Sequence, residues 1–267
     1  MEIKKMRDID LFLFDMDGTI YLEDTLIDGA KELINELRNQ NKKYIFLTNN
    51  SSKSVDEYLY KLEKIGIYAE EDNIFTSSQA TAMYINEIYS NPRVYCVGTK
   101  NFIRELRNHG IDVCEELDYS IDAVIVGFDT ELNYEKIKIA CELISSGKPF
   151  IATNMDLVCP VKDGKFIPDC GAICNMISTA VGIEPKYIGK PNNKMVDIVS
   201  TKMKIEKDKI AVVGDRLYTD IALGINSDIL SICVLTGETK KEDILKSEIK
   251  PSITIDSVKD ILLSIKK

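Results

Sequence analysis

The sequence predicts an α/β protein: a Rossmann-like parallel-sheet core made from two stretches of chain, with a second α/β domain inserted between them. Three observations predict it. Apolar runs of about four residues alternate with amphipathic helical segments along the whole chain, the signature of a parallel sheet with helices on both faces. Polar clusters stand directly after several of these runs, where open parallel sheets form their ligand crevice. About a hundred residues separate the two halves of the pattern, more than a single crossover needs.

The first run, Leu11-Phe12-Leu13-Phe14, reads as a buried strand and ends at Asp15-Met16-Asp17-Gly18-Thr19. Residues two apart in an extended chain point the same way, so Asp15 and Asp17 project together past the strand end. Two like charges held that close require a metal or a shared proton. Thr19 to Asp28 is expected to be irregular. Ala30, Leu33, Ile34 and Leu37 then mark one buried helix face. Tyr44–Leu47 is a second strand, ending at Thr48-Asn49-Asn50. Ser54 can cap a helix that buries Val55, Leu59, Leu62 and Ile65 and stops at Gly66. A third strand, Ile74–Ser77, precedes a helix from about Gln79 to Ile88.

Asn91-Pro92 breaks the pattern, and the domain boundaries are placed accordingly at 1–88, 89–185 and 186–267. The insert has its own strands (Arg93–Val97, Ala123–Gly127, Phe150–Thr153) and helices (Phe102–Asn108, Tyr134–Ser145, Ala172–Val181). The first domain is expected to resume with Tyr187-Ile188 leading into Gly189-Lys190. It continues through a helix near Asn193–Met203, the strand Ile210–Val213 with Gly214-Asp215 after it, and a helix from about Tyr218. The strand Ile229–Leu235 and a final strand–helix pair (Ile253–Ile255, Val258–Ile265) close it.

The totals narrow the function. With 267 residues there is ample core, and 45% apolar with 29% charged residues is ordinary globular composition. A net charge of −9 argues against a nucleic-acid or anionic-membrane binder, so an anionic small substrate needs a metal and a few local donors. Met1 to Asp10 is polar and Leu11–Phe14 too short for a signal peptide or membrane span. The seven cysteines are scattered and odd in number, which reads as reduced thiols in a cytoplasmic protein; Cys170 and Cys174 have no second pair for zinc. The single histidine, His109, stands where a helix should end, which discounts serine- or cysteine-protease chemistry.

Four clusters, Asp15/Asp17, Thr48-Asn49-Asn50, Lys190, and Asp215 with Asp220, are thus expected to converge at strand ends. Each has a plainer reading. Asp15 with Asp17 suits a solvated turn or calcium-type loop, Asn49-Asn50 a turn with a helix cap, Lys190 a solvated loop and Asp220 an N-terminal helix position; in the insert, Asn154 with Asp156 suits a turn.

The segments Asp15-Met16-Asp17-Gly18-Thr19, Leu47-Thr48-Asn49-Asn50, Gly189-Lys190-Pro191 and Gly214-Asp215-Arg216-Leu217-Tyr218-Thr219-Asp220 resemble the four ordered motifs of the haloacid dehalogenase (HAD) superfamily. The insert is similar to the α/β cap of its NagD-like and p-nitrophenylphosphatase-like subclass, as are Ala152-Thr153-Asn154-Met155-Asp156 and Pro168-Asp169-Cys170-Gly171-Ala172. The resemblance implies a HAD core with a cap, and a Mg²⁺-dependent phosphatase working through an aspartyl-phosphate. It assigns Asp15 as nucleophile and Asp17 as acid and base. Asp15, Asp215 and the main-chain carbonyl of Asp17 would bind Mg²⁺; Thr48, Asn49, Asn50 and Lys190 would hold the phosphoryl group. Asp220 would orient Lys190 or a metal-bound water, and Asn154 and Asp156 would face the substrate. The implied partner is a small phosphomonoester, with no nucleic acid or membrane, and the resemblance allows a homodimer formed through the cap. A phosphomutase and a non-catalytic phosphometabolite-binding protein are the alternatives.

Overall fold

The fold is described from a computed structural model, which covers residues 6–161 and 165–266; residues 1–5 of the polar N-terminal stretch lie outside it. Taken along the chain, the strands are β1 (Leu11–Phe14), β2 (Tyr21–Leu22), β3 (Thr25–Leu26), β4 (Lys43–Thr48) and β5 (Ile74–Thr76). Then come β6 (Arg93–Val97), β7 (Asp112–Cys114), β8 (Ala123–Val126), β9 (Phe150–Ala152), β10 (Val158–Val161), β11 (Lys165–Pro168) and β12 (Lys186–Tyr187). The last are β13 (Ile210–Gly214), β14 (Leu230–Val234) and β15 (Ile253–Ile255). The α/β class with parallel sheets expected from the alternating pattern is borne out.

The chain forms two compact units. The first comprises the described residues up to Thr48, Val55–Phe75, and those from Lys190 onward. Its six-stranded sheet runs β15-β14-β13-β1-β4-β5. In parallel register, Phe14 of β1 stands opposite Val213 of β13 and Phe46 of β4, so these three strands end nearly level. All four residues of β1 are fully buried, which is why they read as a continuous apolar run rather than an alternating one. Phe12 and Phe14 stack with ring centroids 5.8 Å apart against a core that includes Leu33, Leu37 and Phe46. Each such side chain, removed from water, contributes about 1.5–3 kcal/mol. Helix Ala30–Asn39 buries Ala30, Leu33, Ile34 and Leu37, the face its spacing predicts.

The second unit comprises Asn49–Ser54 and Thr76–Gly189. Its five-stranded sheet has the order β12-β9-β8-β6-β7, and β10 and β11 form a separate antiparallel pair. Val97, Val124, Val126 and Ala152 pack with Ile173 and Ile177 of helix Cys170–Val181. Helix Ser77–Ile88 belongs to this unit and packs on helix Lys100–Asn108, whereas the sequence reading set the boundary after it. His109 caps the latter helix, its Nδ1 3.0 Å from the Glu105 carbonyl. All seven cysteines are free thiols, with the buried Cys170 and Cys174 sulfurs 3.9 Å apart.

Two expectations are corrected. The segment after Thr19 is not irregular: β2 and β3 form a hairpin of two-residue strands, too short to leave a periodic pattern. Tyr187 does not re-enter the first sheet. Lys186–Tyr187 pairs with Ile151–Ala152 in the second, so Lys190 does not follow a strand of the six-stranded sheet. Among the described residues no helix is long and apolar enough to cross a membrane.

Candidate active site

Asp15 directly follows β1 and Asp215 directly follows β13, and the level ending of those strands brings the two carboxylates together. The Asp15 amide donates to Val213 O at 2.8 Å, continuing the parallel ladder by one residue. Beyond Asp215 the chain makes a π-helical turn, Leu217–Ile221, in which the Asp220 amide donates to Arg216 O at 3.1 Å. That turn returns Asp220 to the flat face of Gly214, where an added Cβ would lie 2.3 Å from Asp220 Cβ. One carboxylate oxygen from each of Asp15, Asp215 and Asp220 lies within 4.8 Å of the others.

Lys190 enters this group from the first residue at which the chain rejoins the unit. Its Nζ donates to Asp15 Oδ1 at 2.5 Å, to Asp220 Oδ1 at 2.7 Å and to Leu47 O at 3.2 Å. Its side chain is 3% exposed, so the solvated-loop reading of Lys190 fails. The other oxygen of Asp220 accepts from the Arg216 amide at 3.2 Å. Were all three carboxylates ionised, the one ammonium would leave a surplus of two negative charges in a buried place, eased in part by the Arg216 guanidinium. Burial pushes the Asp15 carboxyl well above the ordinary carboxylate range; Lys190 opposes this, and Asp220 and Asp215 add to it. Asp215 is pushed up to about 6, first by burial and then by Asp220. For Lys190 burial favours the neutral amine, but the Asp15 and Asp220 charges outweigh it and the net direction is upward.

Asp215 answers whether a cation suits this place. Its Oδ2 is held by the Glu238 amide at 2.7 Å, while its buried Oδ1 has no hydrogen-bond partner among the described residues. An orphaned carboxylate oxygen beside two further carboxylates is an all-oxygen donor set, which fits a hard divalent ion that also supplies the missing charge.

Asp17 is arranged differently. Its carboxylate is not part of the buried group; its side chain is 65% exposed and faces Lys61 Nζ at 3.8 Å. Thr48, the last residue of β4, is buried in the first unit.

The remaining candidates lie in the second unit, where Asn49, Asn154 and Asp156 are linked by bonds among themselves. Asn49 Nδ2 donates to Asp156 Oδ2 at 2.9 Å, and Asn154 Nδ2 donates to the Asn49 carbonyl. Ser77 Oγ donates to the same carbonyl at 2.6 Å. Asn154 Oδ1 is buried with no hydrogen-bond partner among the described residues. Gly189 closes over this group: an added Cβ would stand 2.6 Å from Asn49 Oδ1 and 2.5 Å from Thr153 O. Asn50 Oδ1 accepts from Ser52 N at 2.9 Å and Ser52 Oγ at 2.7 Å, the bonds of an Asx turn.

Residues 12–112 match the model of the haloacid dehalogenase-like hydrolases, and residues 187–261 match a second, HAD-hydrolase-like model. An acid sugar phosphatase of Staphylococcus saprophyticus is 36% identical over 98% of this chain and 100% of its own length. The chain belongs to the haloacid dehalogenase-like hydrolases. A 4-nitrophenylphosphatase from Thermotoga maritima superposes with a TM-score of 0.92 at 38% identity, covering 98% of this chain and 99% of that one. A glycerol phosphate phosphatase from Mycobacterium tuberculosis, solved with magnesium, gives 0.90 at 26% identity over 96% and 77%. The HAD membership expected from the four motifs, and the likeness to its p-nitrophenylphosphatase-like subclass expected from the insert, are therefore borne out, and with them the HAD core fold.

Sequence reading missed several residues around these carboxylates. Gly237 packs on Asp215, where an added Cβ would lie 1.9 Å from Oδ2, and Thr236 Oγ1 donates to Gly18 O at 2.6 Å. The stretch Leu235-Thr236-Gly237-Glu238 carries a turn-forming glycine after a strand, the one signal that pointed there. Lys61 and Tyr21 had none: Tyr21 lies in the stretch expected to be irregular, and Lys61 is off the helix face marked by Val55, Leu59, Leu62 and Ile65.

Proposed function

We propose that this chain is a Mg²⁺-dependent phosphomonoester hydrolase that acts on a small phosphorylated metabolite through an aspartyl-phosphate on Asp15. The observation that carries the reading is the buried group in which Lys190 binds Asp15 and Asp220 while Asp215 keeps one oxygen free. The activities named for the relatives (acid sugar, 4-nitrophenyl and glycerol phosphate phosphatases, the last solved with magnesium) support it.

In this reading Asp15, Asp215 and the main-chain carbonyl of Asp17 hold Mg²⁺, which supplies positive charge to the phosphoryl oxygens. An Asp15 oxygen bonds to phosphorus as the bond to the leaving oxygen breaks, and Asp17 gives that oxygen its proton. Asp17 then takes a proton from the water that attacks the phosphorus, and inorganic phosphate leaves Asp15 free. Lys190 steadies Asp15 and offers its charge to the phosphoryl oxygens, to which Thr48 donates its hydroxyl. Asp220 holds Lys190 in place. The second unit takes the part of the α/β cap.

The test is phosphate release from a panel of sugar phosphates, glycerol phosphate and p-nitrophenyl phosphate, with Mg²⁺ and with chelator. Chelator-sensitive release from at least one ester is expected. Transfer to a second hydroxyl without free phosphate would instead indicate a mutase, and binding without turnover of any ester a binding protein.

A further inference from the structure

Lys61 lies in the last turn of helix Val55–Lys64, where a cation is ordinarily explained by the helix dipole. Its placement asks for more. The Nζ sits 3.7 Å from the centroid of the Tyr21 ring and 3.8 Å from Asp17 Oδ1, and the side chain is only 21% exposed. Tyr21 is completely buried, and a backbone bridge pairs it with Asp17, so the ring is a fixed platform beside the carboxylate. A cation over an aromatic face is held in position as well as in charge.

Asp17 needs such help. Its side chain is 65% exposed, in contrast to the buried Asp15 group, and Lys61 is its one ion-pair partner among the described residues. The ion pair at this distance contributes little to folding by itself. What it can supply is orientation. Proton transfer to a departing oxygen requires the donor within hydrogen-bond reach, and a displacement of about 1 Å can cost about 100-fold in rate.

We infer that Lys61 is a positioning residue: braced on Tyr21, it holds the Asp17 carboxyl in the rotamer that delivers a proton to the leaving oxygen. The inference rests on the phosphatase reading above. It adds no chemical step; the proton still passes from Asp17 to the oxygen released when the phosphorus–oxygen bond breaks.

Leaving groups separate this role from a structural one. p-Nitrophenolate departs without needing a proton, whereas the alkoxide of glycerol phosphate must receive one. The experiment measures kcat/KM, which reports the first phosphoryl transfer, for both esters with the wild type and with Lys61→Met, Lys61→Gln and Lys61→Arg. In Lys61→Met and Lys61→Gln the ratio of kcat/KM for glycerol phosphate to that for p-nitrophenyl phosphate should fall by about tenfold to 100-fold. Lys61→Arg should restore most of it. A ratio equal to wild type in either charge-removing variant overturns the assignment, whether the absolute rates fall together or do not fall. A wild type inactive on the whole ester panel would remove the phosphatase reading and take this assignment with it. An active wild type with an unchanged ratio removes the assignment alone.

Discussion

The ammonium of Lys190 meets the carboxylate of Asp15 at 2.5 Å, joining residues 175 positions apart at the end of β1. Both groups would be costly there alone, since a buried charge is tolerated only with a partner.

That pairing predicts a stability effect. Lys190→Met leaves Asp15, Asp215 and Asp220 without their cation, and unfolding in urea with chelator present should show a loss of about 3–5 kcal/mol. An unchanged midpoint would mean that the carboxylates are neutral in the folded protein. Hydrolysis should fall with it, because in the proposed reaction the same charge serves the phosphoryl oxygens.

Asp15→Asn removes the proposed nucleophile and one of the crowded carboxylates while keeping the shape. We predict a loss of hydrolysis of about 10³-fold or more with a thermal midpoint close to wild type. Retention of a tenth of the activity would show that another group attacks phosphorus.

Mg²⁺ should stabilise the protein independently of any turnover. At a concentration about 100 times its dissociation constant, a bound ion adds about 2.7 kcal/mol, a rise of about 5–10 °C for a chain of this size. Chelator should reverse the rise and Asp215→Asn should abolish it, because the Glu238 amide claims the remaining oxygen and leaves an NH2 group where the free Oδ1 stood. A full Mg²⁺-induced shift in Asp215→Asn would place the ion elsewhere.

Gly237→Ala tests the neighbour that sequence reading overlooked. The new methyl would overlap Asp215 Oδ2, so either the loop or the carboxylate must move. A cost of about 1–3 kcal/mol is expected from overpacking, together with a weaker Mg²⁺-induced shift. Wild-type values on both counts would show that the loop yields without disturbing Asp215.

What could be read beforehand, and what could not, follows from how locally each feature is encoded. Asp15 and Asp215 stand after runs of four and five buried residues, a pattern that marks strand and strand end together. Lys190 was placed after a strand of the wrong sheet, because Lys186–Tyr187 is a two-residue edge strand that carries no information about its neighbour. The bonds linking Asn49 to Asp156 and Asn154 span more than a hundred residues, and no window of sequence contains them. The same holds for Lys61 over Tyr21 and for Gly237 against Asp215: each owes its place to two elements that meet only after folding.

Ser51 shows how the chain is shared between the two units. It belongs with the second unit, where its hydroxyl accepts from the Phe128 amide at 2.8 Å and lies 3.0 Å from Thr153 Oγ1, although it is encoded next to Thr48 of the first. Anyone building chimaeras from this enzyme and a relative therefore has two inserts to exchange, Asn49–Ser54 and Thr76–Gly189, not one. A splice made only at the ends of the long segment would marry a foreign module to a native six-residue loop shaped for the original, and the hybrid would begin life with mismatched seams.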